Sequence, residues 1–214
     1  MRPILIDCDP GHDDAMAIML ALANTEHFDV LGITCVGGNQ TLDKVSENTL
    51  KVLTVLNKEI PVAKGAAGPL IREIAPAPEA HGDTGMDGPI IEKITMDFVK
   101  QNGVEFLRDK ILMEEGKVTI VALGPLTNIA LLLKMYPEVK ERIDCIAMMG
   151  GSATSGNSTA AAEFNFWVDP HAAHIVFHSG IPLIQAGTEV SLAASILHTE
   201  IEDFKGKGRV SDFV

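Results

Sequence analysis

The sequence has little positive charge and little cysteine. Its 17 lysine and arginine residues are outnumbered by 29 aspartate and glutamate residues, which gives a formal net charge of −12 at pH 7. Nucleic-acid binding depends on basic patches, so this balance argues against a nucleic-acid partner. The three cysteines, Cys8, Cys35 and Cys145, lie on or beside apolar runs and form no CxxC pair. They argue against a disulfide framework and indicate buried thiols in a reducing compartment.

Long apolar runs and common nucleotide-binding motifs are also missing. No run approaches the roughly 20 apolar residues of a membrane-spanning helix. The first apolar segment begins at once, without a basic leader or a cleavage site. There is no GxGxxG fingerprint and no P-loop lysine. We therefore expect a soluble, cytoplasmic protein without a membrane partner.

The chain alternates between strand-like and helix-like patterns. With 214 residues, 46% of them hydrophobic, it can bury one sizeable core, and we predict a single domain over residues 1–214. The alternation is typical of βαβ units and predicts an α/β fold, a mostly parallel open sheet with helices on both faces. Apolar runs predict strands at 3–6, 29–36, 60–63, 118–123, 143–149 and 181–186. Helical spacing predicts helices at 15–23, 41–56, 98–115, 129–135, 169–178 and 201–214, and long loops at 65–89 and 152–164.

Four carboxylates fall within eight residues after the first predicted strand: Asp7, Asp9, Asp13 and Asp14. The first two are two positions apart and share a face of the strand. Carboxylates this close raise one another's pKa unless a cation or hydrogen-bond donors compensate. An all-oxygen ligand set favours Ca²⁺ or Mg²⁺ over Zn²⁺. The alternative is that these are solvated helix-capping residues, but capping needs one acidic residue rather than a row.

Four predicted strands end in glycine-containing turns that carry polar groups. In a parallel sheet such turns lie along one edge, so they predict a crevice there. Their polar side chains are mostly Asp, Asn, Thr and Glu, which suit hydroxyl groups and a hard cation. Lysine and arginine are absent from them, which argues against a phosphorylated substrate. The turns are 9–14, 37–39, 123–128 and 149–152.

The stretch Asp-Cys-Asp-Pro-Gly-His-Asp-Asp-Ala at 7–15 resembles the signature of the inosine-uridine preferring nucleoside hydrolases. The resemblance covers nearly the whole chain and implies a Rossmann-like nucleoside hydrolase fold. It also implies hydrolysis of the N-glycosidic bond of ribonucleosides to base and ribose, one Ca²⁺ per chain, a homo-oligomer and a role in purine or pyrimidine salvage. The further matching segments are 36–41, 81–82, 124–130, 148–151 and 162–170.

The resemblance implies three ligands for the calcium ion. Asp9 and Asp14 would provide carboxylate oxygens, and Leu123 would provide its backbone carbonyl. Asp9 would also be the general base toward the attacking water, which the ion holds. The sugar becomes oxocarbenium-like and positively charged as its bond to the base breaks, and an acidic pocket stabilises that charge.

Five further residues resemble contacts between the family and the sugar. Asp13, Asn39 and Asn165 match contacts to the ribose hydroxyls. Asn157 and Glu163 match contacts to the 5′-hydroxyl.

Three other residues near these motifs have less direct assignments. Met149 resembles a residue that lines the site beneath the sugar. His81 lies in a glycine-rich segment near the predicted crevice and is a candidate for substrate contact. Trp167 could stack on a base, but the apolar stretch around it favours a core position.

Family members are longer than this chain. The resemblance implies that their C-terminal part carries a His-Asp pair. The aspartate of this pair is a calcium ligand, and the histidine helps to protonate the leaving base. No His-Asp dipeptide follows His12-Asp13 in this sequence. We therefore expect a C-terminally truncated relative that binds Ca²⁺ weakly, turns over slowly or not at all, and self-associates through apolar surface at the end of its sheet.

Two alternative functions remain open from the sequence. One is a non-catalytic relic that binds ribose or calcium. The other is a phosphatase of the haloacid dehalogenase type, because Asp7-Cys8-Asp9 follows the first strand. That chemistry needs a lysine and a second acidic pair at later strand ends, which the sequence does not provide. The base preference, whether purine, pyrimidine or broad, is also open.

Overall fold

The computed structural model describes residues 1–88, 91 and 93–213. Within them, six strands form one sheet in the order β3-β2-β1-β4-β5-β6, and every neighbouring pair is parallel. The predicted α/β architecture is therefore confirmed, and each predicted strand is present. The strands are β1 (Arg2–Cys8), β2 (Phe28–Cys35), β3 (Val62–Lys64), β4 (Val118–Ala122), β5 (Ile143–Met149) and β6 (Leu183–Ala186).

Helices cover both faces of the sheet. The first two, α1 (His12–Ala23) and α2 (Leu42–Leu56), pack on one face and bury one hydrophobic cluster. On the other face α4 (Gly103–Met113), α5 (Thr127–Met135) and α7 (Pro170–Phe177) bury a second cluster. Burial on both faces explains why the central strands are continuous apolar runs. The shorter helices are α3 (Pro78–His81), α6 (Phe164–Val168), α8 (Thr188–Ala193) and α9 (His198–Glu202), with a 3₁₀ segment at Pro137–Arg142.

The strand order reverses beside β1. The chain runs outward from β1 to β2 and β3, then returns so that β4 pairs with the other side of β1, with Asp7 opposite Ala122. Open parallel sheets bind ligands outside the carboxyl ends of the strands at such a switch point. The turns after β1 and β4 therefore lie side by side, and they carry Asp9 and Leu123.

The structure changes the bounds of two predicted segments. The helix α4 begins at Gly103 rather than at residue 98, because the Asn102 side chain accepts a hydrogen bond from the Val104 N–H and caps the helix there. The predicted loop 65–89 contains the short helix α3, and its last residue, Pro89, lies outside the described residues.

The predicted C-terminal helix at 201–214 is wrong for most of its length. The helix α9 ends at Glu202, and turns follow it. Gly206 (φ 74°) and Gly208 (φ 143°) have backbone conformations that a helix cannot contain. Val214, the last residue of the prediction, lies outside the described residues.

Apolar side chains are exposed at the β6 edge of the sheet and around α8. Ile184 is 58% exposed, Leu192 is 72% exposed and Leu197 is 62% exposed. The apolar surface that we expect at the end of the sheet is therefore present, while self-association stays a prediction. Across residues 1–88, 91 and 93–213, no helix has both the length and the apolar character needed to span a membrane.

Candidate active site

A cavity of about 480 Å³ opens at the carboxyl ends of the central strands. It is the crevice that the strand-end turns predict. Nine of the ten predicted site residues line it, and the tenth, Asp9, is buried beside two of them. The nine are Asp13, Asp14, Asn39, His81, Leu123, Met149, Asn157, Glu163 and Asn165.

Asp9 directly follows β1 and is 1% exposed. Its Oδ2 accepts a hydrogen bond of 2.7 Å from the backbone N–H of Asn39, and its backbone carbonyl accepts one of 3.1 Å from the Asn39 side-chain amide. The turn after β2 therefore holds this carboxylate in place. Gly38 and Gly124 leave the room that this requires, because a Cβ at either position would lie 2.1 Å and 2.4 Å, respectively, from an Asp9 carboxylate oxygen.

Asp14 lies in the first turn of α1 and is 4% exposed. Its Oδ1 accepts a hydrogen bond of 3.3 Å from the backbone N–H of Asp9, and its Oδ2 accepts one of 3.5 Å from that of Gly11. The positive end of the helix dipole favours a carboxylate at this position. The turn thus brings the two predicted cation ligands together.

Burial shifts the pKa of both carboxyl groups upward. Desolvation raises the pKa of Asp9 well above its usual range, and the negative charge of Asp14 raises it further. Desolvation also raises the pKa of Asp14 to about 8, with a contribution from the charge of Asp13. A bound cation would favour the charged forms of both groups, so their surroundings fit a metal site.

Leu123 follows β4 and lines the same cavity as Asp14. Its N–H donates a hydrogen bond of 2.7 Å to the Asp7 carbonyl, which fixes the turn after β4 against β1. No group of three or more His, Cys, Asp or Glu side chains in the described part of the chain could hold a metal ion. Two carboxylates and a carbonyl match Ca²⁺ in ligand type, but Ca²⁺ takes about six to eight oxygens, so the remainder would come from water and substrate.

Asn165 connects α6 to the ends of β4 and β5. Its side-chain amide lies 2.8 Å from the Leu123 carbonyl oxygen, 3.2 Å from the Met149 carbonyl oxygen and 3.3 Å from the Met149 sulfur. Two predicted substrate contacts and a predicted metal ligand therefore meet at one side chain.

Glu163 is 2% exposed and caps α6. Its carboxylate accepts hydrogen bonds from the backbone N–H groups of Gly151 at 2.7 Å, Asn165 at 3.0 Å and Phe166 at 3.2 Å. Both oxygens are engaged with the backbone, so the side chain shapes the cavity as well as lining it. Asp13 and Asn157, in contrast, are exposed residues of the cavity lining.

His81 ends α3 and is half-buried in the cavity lining. Its ring stacks on that of His12, with the ring centroids 6.1 Å apart. Its Nδ1 is buried and has no hydrogen-bond partner among the described residues. Burial lowers the pKa of His81 below its usual value, which keeps the ring neutral at pH 7. The Nδ1 atom lies against Gly11, where a Cβ would be 2.4 Å from it, so the ring lines the cavity without directing Nδ1 into it.

Asp7 is a buried acid to which the sequence analysis assigned no role in the site. Its Oδ1 accepts hydrogen bonds of 2.5 Å from the Thr34 hydroxyl and 2.7 Å from the Asn128 side-chain amide. Its Oδ2 is buried without a partner in the described residues, and burial raises the pKa of Asp7 to about 7. Its position on β1, two residues before Asp9, was the signal that could have indicated a supporting role.

The structure adds a wall to the cavity that the sequence analysis missed. This wall of the cavity is formed by residues 75–77, 79 and 80 together with Phe164 and Trp167. The predicted core position of Trp167 is wrong, because α6 turns the half-buried indole toward the cavity, 6.2 Å from the Phe164 ring. An apolar stretch has the same appearance in sequence whether it faces a core or a cavity, so the pattern alone could not separate the two.

Together these features define a doubly wound α/β protein with an acidic small-molecule crevice at the switch point of its sheet. The family model described as inosine-uridine preferring nucleoside hydrolase matches residues 4–213. The chain therefore belongs to this family.

Curated relatives extend beyond the matched region. The pyrimidine-specific ribonucleoside hydrolase RihA of Shewanella sp. (strain MR-7) is 50% identical over 202 residues, which cover 94% of this chain and 63% of the relative. The pyrimidine-specific ribonucleoside hydrolase RihA of Escherichia coli O81 (strain ED1a) is 50% identical over 209 residues, which cover 96% of this chain and 66% of the relative. The chain thus spans less than two thirds of the length of these relatives.

Solved structures of nucleoside hydrolases share the fold. A plant nucleoside hydrolase aligns with a TM-score of 0.92 and 30% identity, covering 99% of this chain and 68% of that one. The purine-preferring ribonucleoside hydrolase from Gardnerella vaginalis aligns with a TM-score of 0.91 and 31% identity, covering 99% and 70%.

Proposed function

We propose that this chain hydrolyses the N-glycosidic bond of ribonucleosides to free base and ribose. The observation that carries the proposal is the buried pair Asp9 and Asp14 at the switch point, beside an oxygen-lined cavity, in a member of the nucleoside hydrolase family. The lining residues of this cavity include no lysine or arginine among those described. This fits a neutral nucleoside better than a phosphorylated substrate and argues against the phosphatase alternative.

Asp9, Asp14 and the Leu123 carbonyl would hold one Ca²⁺. When bound, the ion would orient the attacking water and the vicinal hydroxyls of the ribose. Support comes from the oxygen donors and from the raised pKa values of the two buried carboxyls, which a cation would lower.

Asp9 would take the proton of the attacking water. The bond from the Asn39 N–H to Oδ2 fixes the carboxylate, and its other oxygen lies beside the backbone of Gly124. A carboxylate that is fixed before the reaction loses little freedom in reaching the transition state. The neighbouring charges of Asp13 and Asp14 would stabilise the positive charge that develops on the sugar.

The remaining residues would hold the nucleoside. Asp13, Asn39 and Asn165 would bind the ribose hydroxyls, with Met149 beneath the ring. Asn157 and Glu163 would bind the 5′-hydroxyl. We assign His81 to contact with the substrate because its half-buried, neutral ring lines the cavity.

Pyrimidine ribonucleosides are the proposed substrates. The support is the 50% identity to relatives named pyrimidine-specific, which exceeds the 31% identity to the purine-preferring enzyme of known structure. We further propose that the protein acts in the cytoplasm, in salvage of bases, and that exposed apolar residues near β6 make it a homo-oligomer.

The direct test is release of ribose from uridine, cytidine and inosine, measured as reducing sugar with and without Ca²⁺. We expect ribose to be released faster from uridine and cytidine than from inosine. The substitution Asp9→Asn should lower kcat by at least about 100-fold, the usual size of a general-base contribution, with an unchanged circular dichroism spectrum. Calorimetric titration measures the Ca²⁺ affinity separately.

A non-catalytic relic would give a different pattern in the same experiment. It would bind Ca²⁺ and ribose but release no sugar from any nucleoside. Hydrolysis of p-nitrophenyl phosphate would instead favour the phosphatase alternative.

A further inference from the structure

One wall of the cavity comes from the segment 65–81, defined here as the wall loop. It follows β3 and ends with α3, and several residues of its second half line the cavity. A loop of this length loses much conformational entropy when it is fixed, so it needs anchors to keep one shape. The structure supplies such anchors at Leu70, Arg72 and Ala77.

The first anchor is the carboxylate of Asp169, which is 1% exposed. Its Oδ1 accepts a hydrogen bond of 2.9 Å from the Ala172 N–H and so caps α7. Its Oδ2 accepts one of 2.7 Å from the Thr127 hydroxyl and one of 2.9 Å from the Leu70 N–H in the wall loop. Capping accounts for the first oxygen only. The second oxygen connects the wall loop to the start of α5.

The second anchor is Arg72, an exposed residue of the wall loop. Its guanidinium donates a hydrogen bond of 2.8 Å to the backbone carbonyl of Trp167, whose side chain lines the same cavity. The backbone N–H of Ala77 donates a third anchoring bond, of 3.0 Å, to the Asn39 carbonyl. Only residues 73–76 then lie between Arg72 and the next anchor.

We propose that Asp169 and Arg72 are positioning residues that fix the wall loop against α6 and α7 and so set the width of the substrate cavity. Neither residue lines the cavity in the described part of the chain. They act through Leu70, which belongs to the wall loop, and through Trp167, whose side chain lines the cavity. The identity of the ligand rests on the proposed function, whereas the anchoring of the loop does not.

The test compares two variants that weaken the anchors with two matched controls. Arg72→Ala removes an exposed donor, and Asp169→Asn leaves one acceptor oxygen where the cap and the loop need two. Arg209→Ala removes a comparable bond, from an exposed arginine to the Thr54 carbonyl. Val176→Ala destabilises α7 from inside its buried face.

Three measurements read out the effect. Hydrogen exchange followed by mass spectrometry reports the protection of residues 70–81. Emission of Trp167, the single tryptophan of the sequence, reports the binding of added ribose. Steady-state kinetics with uridine separate KM from kcat.

We expect Arg72→Ala and Asp169→Asn to speed exchange in the wall loop and to raise the ribose dissociation constant and KM by about five-fold. This is the size expected for the loss of one typical hydrogen bond. The value of kcat should stay within about two-fold, and Arg209→Ala should change none of these readouts.

Unchanged exchange in Arg72→Ala would overturn the proposal. So would an equal rise of KM in Val176→Ala at an equal loss of melting temperature, because the effect would then be general destabilisation. Should the chain release no ribose from any nucleoside, the proposed function fails, and the exchange measurement still decides whether the two residues anchor the loop.

Discussion

The side-chain amide of Asn165 donates a hydrogen bond of 2.8 Å to the backbone carbonyl oxygen of Leu123. This bond joins α6 to the turn after β4. It also orients the backbone oxygen that we propose as a cation ligand. A residue that resembles a ribose contact therefore has a second task in the structure, which is to hold part of the proposed cation site.

Asn165→Ala should weaken Ca²⁺ binding as well as sugar binding. Loss of a hydrogen bond that orients a metal ligand typically costs 10-fold or more in metal affinity, and we expect about that factor here. Isothermal titration with CaCl₂ measures it. The control is Asn157→Ala, which removes an exposed residue of the cavity lining and should leave Ca²⁺ affinity unchanged while raising KM. Equal Ca²⁺ affinity in Asn165→Ala and the unaltered chain would contradict the assignment of Leu123.

In the absence of Ca²⁺, stability should fall as pH rises from about 5 to 8. Burial raises the pKa of Asp7 to about 7 and that of Asp14 to about 8, above the value of 3.8 for an unperturbed carboxyl. Between these values the folded chain binds more protons than the unfolded chain. The stabilisation is therefore complete below pH 4 and is lost as pH rises through 7 and 8. Each group contributes at most about 1.4 kcal/mol per pH unit.

Urea unfolding in EDTA at several pH values measures this slope. Added Ca²⁺ should reverse it, because the ion binds the deprotonated carboxylates and stabilises the folded state more at pH 8 than at pH 6. Glu189 does not interfere, because hydrogen bonds from Ser152 and its neighbours lower its pKa to about 2, outside this window. A free energy of unfolding that is independent of pH over this range would show that these acids are already ionised in the folded chain, so that their pKa values are not raised.

Asp7→Asn should flatten the pH dependence below pH 7, between the unfolded and the folded pKa of this group. The amide has nearly the same shape, and its oxygen can still accept the bonds from Thr34 and Asn128. It removes a buried group that ionises at a pKa of about 7, so the slope should decrease by up to about 1.4 kcal/mol per pH unit. Asp144→Asn, on an exposed position of β5, is the control and should leave the slope unchanged. If Asp7→Asn has the same pH slope as the control, a group other than Asp7 is responsible for the pH dependence.

The sheet was predictable because its strands are uninterrupted apolar runs that end in glycine-containing turns. The positions of the acidic turn 9–14 and of Asn39 were also predictable, since the carboxyl ends of parallel strands lie along one edge of the sheet. The helix predicted at 201–214 failed because its apolar spacing is regular but Gly206 and Gly208 take conformations that end a helix. Local spacing does not reveal the backbone conformation of a glycine.

The wall of the cavity was not predictable for a different reason. Its contacts join residues far apart in sequence, as Asp169 to Leu70 and Arg72 to Trp167 illustrate. Asp169 was predictable as a helix cap because that role is local. Its bond to the wall loop depends on how α7 packs against the turn before α5, and only tertiary structure contains that information.

Gly11→Ala should impair the site through His81. A Cβ at Gly11 would lie 2.4 Å from Nδ1 of the His81 ring, so the ring must move. We expect KM for uridine to rise by about ten-fold, as it should in His81→Ala, since either change removes the ring from the cavity. The double variant should be no worse than either single one, because both remove the same contact. Gly116→Ala, where a Cβ would meet no atom within 4 Å, is the matched control and should behave as the unaltered chain. Additive effects in the double variant would mean that Gly11 acts on the site by a route that does not involve His81.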